Sequence, residues 1–216
     1  MERAVVLLSG GMDSTTLLFH VRQTLGVADI HALTFLYGQK HARELAMARW
    51  QAQAVGGTRL AEWTLAMPDG VAAASALTNP ATAVPDLAAI PTDERDQPIT
   101  YVPNRNMMFL TLAAAYAEAQ GIADVFYGAQ AQDEYGYWDC TQTFAERINA
   151  VLALNRRRPV TVHAPFSTMT KRDVVRIGRT LGVDYDRTWS CYRGENQPCG
   201  ACPSCVERER ALGDCD

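Results

Sequence analysis

The sequence predicts an α/β fold, a Rossmann-like parallel sheet followed by a cysteine-rich C-terminal element, and three observations carry that prediction. Apolar, β-branched runs alternate with helix-length stretches, the pattern of parallel strands joined by crossover helices. The first such run ends in a glycine pair that leads at once into a helix, as where open sheets bind ligands at the carboxyl ends of their strands. Five of the six cysteines (Cys191, Cys199, Cys202, Cys205 and Cys215) fall in the last 26 residues, a clustering that points to a local metal site.

Taken in order, Ala4 to Leu8 is a continuous apolar run suited to a strand buried on both faces. Thr15 to Thr24 sets Leu17, Leu18 and Val21 at helical spacing and is stopped by Gly26. A second strand follows near Ile30 to Tyr37. His41 to Val55 is Ala-rich without internal Gly or Pro, so it predicts a helix closed by Gly56-Gly57, with a third strand around Arg59 to Leu65. Pro68 to Pro103 holds six prolines. It predicts a loop or partly helical insertion, longer than the roughly 12 to 15 residues of a passive connection and therefore a candidate functional segment. Asn104 to Gln120 predicts a long apolar helix ending at Gly121, Asp124 to Ala129 a strand, and Thr143 to Leu154 a helix that stops before Pro159. Thr170-Lys-Arg-Asp173 opens a further helix, ending near Leu181-Gly182, with capping-box spacing in which Asp stands where Glu or Gln is usual.

The chain has 216 residues, 24 acidic against 20 basic groups and a hydrophobic fraction of 48%. That is enough apolar surface for one packed domain, which excludes disorder and a disulfide-held miniprotein. The longest apolar stretch, Met107 to Tyr116, is about half the roughly 20 residues of a membrane span, and residues 1 to 9 are too short for a signal peptide. A cytoplasmic, soluble protein without a membrane partner is expected. The net charge of −4 makes long double-stranded nucleic acid a poor partner and leaves a small anion in a local pocket open.

The turn after the first strand reads Ser9-Gly-Gly-Met-Asp-Ser-Thr-Thr16. Two glycines let the backbone approach a ligand, and the hydroxyls of Ser9, Ser14 and Thr15 flank a helix N-terminus whose free N–H groups and dipole favour pyrophosphate. Asp13 either orients Mg²⁺ or completes the turn. No Gly-Lys-Ser/Thr follows, so this is not a P-loop, nor is it a GxGxxG fingerprint. In the tail, Cys191, Cys199, Cys202 and Cys205 fall within 15 residues, the last three as two overlapping CxxC pairs. Four thiolates satisfy tetrahedral Zn²⁺ and leave no open position, so the expected zinc is structural. The expected organisation is a nucleotide-binding and substrate domain over 1–188 with the zinc element of 189–216 packed on it.

The Ser-Gly-Gly-x-Asp-Ser stretch resembles the signature of the ATP pyrophosphatases, the PP-loop family, whose adenine nucleotide alpha hydrolase-like fold the resemblance extends to this chain. Members adenylate a carboxylate, amide or carbonyl, release pyrophosphate, and let a nucleophile displace AMP. Further stretches narrow the likeness: Tyr37-Gly-Gln-Lys-His41, Tyr101-Val-Pro-Asn-Arg-Asn106, Gly128-Ala-Gln-Ala-Gln-Asp-Glu-Tyr-Gly-Tyr-Trp-Asp-Cys140, Trp189-Ser-Cys-Tyr192 and the CGxCxxC tail. Together, and in this order, they resemble the 7-cyano-7-deazaguanine synthase family of the queuosine pathway over about residues 3 to 210.

The resemblance implies ATP (with Mg²⁺), 7-carboxy-7-deazaguanine and ammonia as reactants, and a homodimer. It implies an ATP-binding loop over Leu8, Ser9, Gly10, Gly11, Met12, Asp13, Ser14, Thr15 and Thr16, catalytic roles for Asp13, Arg105 and Lys171, and a base pocket of Tyr37, Asp133, Tyr137 and Asp139. A carboxylate suits a guanine-like base because it accepts two parallel hydrogen bonds from ring N–H and exocyclic amine. The chain departs from the family pattern at Tyr135, Trp138 and Thr141, where Ser, Pro and Arg are usual. Those departures motivate an alternative, a paralogue that transfers the activated acyl group to another amine such as a protein N-terminus and stops at an amide. A zinc-containing tRNA-binding or thiolation protein is the alternative of another class, opposed by the acidic balance.

Overall fold

The computed structural model describes residues 1–40, 43–91, 97–131 and 137–213. Of the residues singled out above, His41, Asp133, Glu134, Tyr135 and Cys215 lie outside the described residues.

Five strands form one parallel sheet: β1 (Arg3–Leu7), β2 (Asp29–Leu36), β3 (Thr58–Thr64), β4 (Asp124–Phe126) and β5 (Thr161–His163), in the spatial order β3-β2-β1-β4-β5. The β1 run is buried on both faces, as a central parallel strand requires: Val5 packs into one apolar cluster and Ala4 and Val6 into the other. The helices are α1 (Met12–Phe19), α2 (Arg43–Ala54), the one-turn α3 (Asp69–Ala72), α4 (Arg105–Gln120), α5 (Gln142–Leu152), α6 (Lys171–Thr180) and α7 (Pro203–Gly213). Leu17, Ala48 and Val174 bring α1, α2 and α6 onto one face of the sheet, while Leu110 and Phe144 bring α4 and α5 onto the other. α7 serves both, through Cys205 on one side and Ala211 on the other.

The predicted β-α-β-α-β opening is present, with small shifts that have local causes. α1 begins at Met12 rather than Thr15 because Gly11, in extended conformation, is already its cap, and the helix runs on as a π-helical turn over His20–Thr24. β4 is half the predicted length. After Phe126 the chain leaves the sheet, pinned by Tyr127 N–H to the His163 carbonyl and Ala131 N–H to the Met169 carbonyl. The Thr170 capping box is complete: Thr170 Oγ1 accepts from Asp173 N–H at 3.2 Å, and the Asp173 carboxylate accepts from Thr170 N–H at 3.1 Å. Two elements were not foreseen, β5 and α7. Among the described residues no helix is long and apolar enough to cross a membrane.

The chain order runs outward from β1 to β3 and then returns to the other side of β1, so the switch point lies between β1 and β4. Ligands of open α/β sheets bind outside the strand carboxyl ends at such a point.

Candidate active site

A cavity of about 260 Å³ opens at this switch point, walled by the ends of β1 and β2, the chain after β4 and the first turns of α1, α4, α6 and α7. That volume is close to the lower bound of small-molecule pockets.

The floor is the turn from Leu8 to Ser14. Gly10 takes φ +89°, and a Cβ there would run into the Glu44 carbonyl of α2, so only glycine lets the turn nest against that helix. The hydroxyls are spent on shaping the turn: Ser9 Oγ and Ser14 Oγ are 3.0 Å apart, Gly11 N–H donates to Ser9 Oγ at 3.1 Å, and Ser14 Oγ donates to the Gly11 carbonyl at 3.2 Å. No side chain caps α1, which leaves its first-turn N–H groups for an anion. Leu8, Ser9, Gly11, Met12, Asp13 and Ser14 line the cavity. Gly10, Thr15 and Thr16 are not part of its wall. Thr15 is fully buried, and Thr16 Oγ1 donates to the Met12 carbonyl at 2.9 Å and pairs with the Tyr185 hydroxyl at 2.7 Å, tying α1 to the chain after α6.

Two cations face this floor, each the first residue of a helix. Lys171 Nζ of α6 donates to Asp13 Oδ2 at 2.9 Å and stands 3.7 Å from Glu207 Oε2 of α7. Burial works against its ammonium, but Asp13 and Glu207 outweigh burial and hold its pKa above the ordinary lysine value. Arg105 of α4 donates to the Tyr37 hydroxyl at 3.2 Å, with its guanidinium 5.9 Å from the centre of the Tyr37 ring. Asn104, which precedes it, is left-handed at φ 54°, a conformation Asn tolerates better than most residues, and its N–H donates to the Tyr101 hydroxyl at 3.0 Å.

Tyr37, Tyr137 and Asp139 all line the cavity. The Tyr137 hydroxyl pairs with Thr100 Oγ1 at 2.8 Å. Asp139 is 3% exposed and accepts from Asn106 N–H at 3.4 Å. Burial raises its pKa, against the pull of Arg105 and of that N–H. Next to it the Cys140 thiol, which accepts from Asn106 Nδ2 at 3.3 Å, is pushed up to about 12 by burial and by Asp139, so it stays a neutral thiol. Two departures from the family pattern stand beside this wall without lining the cavity. Trp138 Nε1 donates to the Tyr101 hydroxyl at 3.0 Å and its ring meets Phe144 edge-on at 5.3 Å, and Thr141 Oγ1 caps α5 by accepting from Phe144 N–H at 3.1 Å.

The sulfur ligand atoms of Cys191, Cys199, Cys202 and Cys205 lie within 4.8 Å of one another, with Cys199 Sγ and Cys205 Sγ 3.9 Å apart. Gly200, at φ +72°, turns the chain between Cys199 and Cys202 so that Cys202 N–H donates to Cys199 Sγ at 3.3 Å. Burial opposes ionisation of Cys199, but that N–H and that of Ala201 outweigh it and lower its pKa to about 7. The four thiols can hold a metal. They stand behind the cavity wall, joined to it by α7.

Sequence reasoning missed Glu207, Tyr127 and any role for Gln130, all of which line the cavity. A signal for Glu207 was present: Pro203 suits the first position of a helix, and Ser204 and Glu207, three apart, then share one face.

The model of the family described as queuosine biosynthesis protein QueC matches residues 3–216. The chain belongs to this family. QueC relatives named 7-cyano-7-deazaguanine synthase include that of Clostridium kluyveri, 40% identical over 98% of this chain and 93% of the relative. Those of Frankia casuarinae (45%, covering 97% and 89%) and Archaeoglobus fulgidus (41%, covering 97% and 85%) are similar over most of their length. Among solved structures, the U34-tRNA thiolase NcsA from Methanococcus maripaludis, determined with its 4Fe–4S cluster, is similar in fold with a TM-score of 0.50. It is 12% identical, covering 98% of this chain and 64% of that one.

Proposed function

We propose that the chain uses ATP to convert 7-carboxy-7-deazaguanine and ammonia into 7-cyano-7-deazaguanine, through an acyl-adenylate and an amide. The names of its QueC relatives support the product. The observation that carries the reading is the convergence on one cavity of an uncapped helix N-terminus, Asp13, Lys171 and Arg105. In the first half-reaction a carboxylate oxygen of the substrate attacks the α-phosphorus of ATP and pyrophosphate leaves. Ammonia then attacks the acyl carbon, AMP leaves with that oxygen and a proton is lost, giving the amide. In the second half-reaction the amide oxygen attacks the α-phosphorus of a second ATP and pyrophosphate leaves; that oxygen then departs as part of AMP while the nitrogen loses its two protons, leaving the nitrile.

The first-turn N–H groups of α1 would receive the phosphates, and Lys171 and Arg105 would offset the charge that grows on the phosphates and on the developing adenylate. Asp13 Oδ1 is buried and without a hydrogen-bond partner, which makes it a fitting oxygen ligand for the Mg²⁺ that accompanies ATP and neutralises phosphate charge. Asp139 would accept from the base.

The tail would hold Zn²⁺ through Cys191, Cys199, Cys202 and Cys205. Tetrahedral Zn–S bonds of about 2.3 Å set sulfurs roughly 3.8 Å apart, close to the 3.9 Å between Cys199 and Cys205. Thiolates on separate irons of a cluster stand farther apart, so a single ion suits this set better. With four protein ligands the ion would take no part in the reaction, and would fix α7 against the cavity.

The test is mass spectrometry of the products after incubation with 7-carboxy-7-deazaguanine, Mg-ATP and ammonium, alongside elemental analysis of the purified chain. Nitrile, AMP, pyrophosphate and about one zinc per chain are expected. Amide as the sole end product would overturn the nitrile-forming reading and redirect the search to another amine acceptor.

A further inference from the structure

The cavity wall after β4 carries two polar side chains that the fold buries and leaves without partners. The Tyr127 hydroxyl and Gln130 Oε1 have no hydrogen-bond partner, although the residues are only 4% and 7% exposed, and both line the cavity. Leaving a buried polar group unpaired forfeits the hydrogen bonds it made to water, and Phe or Leu at these positions would avoid that loss. The segment that carries them is pinned at both ends. Tyr127 N–H bonds to the His163 carbonyl at 3.1 Å and Ala131 N–H to the Met169 carbonyl at 2.9 Å. Between them Gly128 is pressed so close to the Asp13–Ser14 peptide that an added Cβ would stand 3.1 Å from it. Two orphaned groups on a pinned strap facing a cavity are a site prepared for a ligand's polar edge.

We propose that Tyr127 and Gln130 read the heterocycle, the Tyr127 hydroxyl donating to the ring carbonyl of a lactam base while Gln130 Oε1 accepts from one of its N–H groups. The proposal rests on the reading that a deazaguanine is the substrate, and assigns the atoms that would tell it from an adenine-like base. The edge of such a lactam presents carbonyl oxygen, ring N–H and exocyclic amine in a row. Along the wall the protein presents a hydroxyl, a carboxamide oxygen and, next to Tyr127, the Asp139 carboxylate. Asp139 and Cys140 are the charged and ionisable neighbours of the Tyr127 hydroxyl, and with burial they raise its pKa. The phenol therefore stays protonated and able to donate. An adenine-like base would set an amino group where the hydroxyl expects an acceptor and an unprotonated ring nitrogen against the carboxylate. A site built to hydrogen-bond a group rejects the analogue that lacks it far more strongly than an apolar pocket does.

Calorimetric titration of the full chain with 7-deazaguanine, with 7-deazaadenine and with ATP, for wild type, Tyr127→Phe and Gln130→Leu, tests this without requiring turnover. Wild type should bind 7-deazaguanine and discriminate against 7-deazaadenine. Tyr127→Phe should weaken 7-deazaguanine about tenfold, the loss of one hydrogen bond, and leave ATP unchanged. Because the variant removes an orphaned hydroxyl, its melting temperature without ligand should stay level or rise, whereas a structural hydroxyl would lower it. Gln130→Leu should act in the same direction and guards against a local repacking peculiar to one variant. Unchanged 7-deazaguanine affinity in both variants, equal weakening of ATP and base, or no wild-type affinity for 7-deazaguanine would each overturn the proposal. Its failure is separable from failure of the synthase reading: nitrile formation with unaltered base affinity in the variants sinks only the wall, and Tyr127-dependent base binding without nitrile sinks only the reaction.

Discussion

Lys171 and Arg105 occupy equivalent places on opposite sides of the cavity, each the first residue of a helix, where the macrodipole disfavours a cation. Their surroundings differ. Lys171 is matched by two carboxylates, Asp13 at 2.9 Å and Glu207 at 3.7 Å. Arg105 is met by the hydroxyl and ring of Tyr37, and no carboxylate stands within ion-pair distance of it among the described residues. The charge of Lys171 is thus paired at close range inside the protein before any ligand arrives, whereas Arg105 feels the Asp139 carboxylate only from beyond ion-pair distance. A positive group partly buried without a paired counter-charge is costly to the fold and valuable to an anion. The comparison therefore assigns Arg105 the larger share in binding developing negative charge, and Lys171 a share that depends on how Asp13 is engaged.

The largest expected effect is that of Arg105→Ala. Removing one preorganised donor aimed at developing charge costs about 10² to 10³ in kcat, while deleting an uncompensated cation at a helix start should leave the melting temperature unchanged or higher. Pyrophosphate release and a thermal melt read the two together. A rate within threefold of wild type, or a large fall in melting temperature, would reverse the assignment and make Arg105 a structural residue.

Asp13→Asn comes next, because it attacks the balanced side. Lys171 would keep only Glu207, and breaking a hydrogen-bonded charge pair that is mostly buried costs about 2 kcal/mol or more of stability, with the side chains here 15% and 24% exposed. Adenylation should be lost as well. A double-mutant cycle with Lys171→Met, followed by denaturant unfolding, isolates the pair. A coupling near zero would show that Lys171 is held in place by its backbone and packing instead, and the contrast with Arg105 would disappear.

The contrast was half legible in the sequence. The Ser9 to Thr16 turn announces itself because its chemistry is contiguous: glycines, hydroxyls and a carboxylate at the end of a buried strand. The strands β1, β2 and β3, five to eight residues long, were also readable, each carrying enough apolar or β-branched residues to set a pattern. β4 and β5 have three residues each, too few for any period, so β5 left no trace and β4 was drawn too long. The partnership of Lys171 with Asp13 joins residues 158 positions apart, and nothing local encodes it. Tyr127 read as one more aromatic of a strand, since its orphaned hydroxyl exists only once the chain has left the sheet. α7 was hidden by its own chemistry: the cysteines drew attention to metal, and the helix that begins between Cys202 and Cys205, carrying Glu207 to the cavity, went unread.

Glu207→Gln gives the smallest effect and the sharpest reading of the comparison. The substitution preserves size and removes one charge 3.7 Å from Lys171 Nζ, beyond hydrogen-bond length, so its loss should slow the reaction by less than about tenfold. In the Asp13→Asn background Glu207 becomes the principal remaining counter-charge of Lys171. The same substitution should then destabilise the chain more than it does alone, a coupling of about 0.5 kcal/mol or more in a cycle of the two acids. If instead the two substitutions add, Asp13 and Glu207 do not share the lysine. Lys171 would then be balanced by Asp13 alone, and α7 would touch the cavity only as a wall.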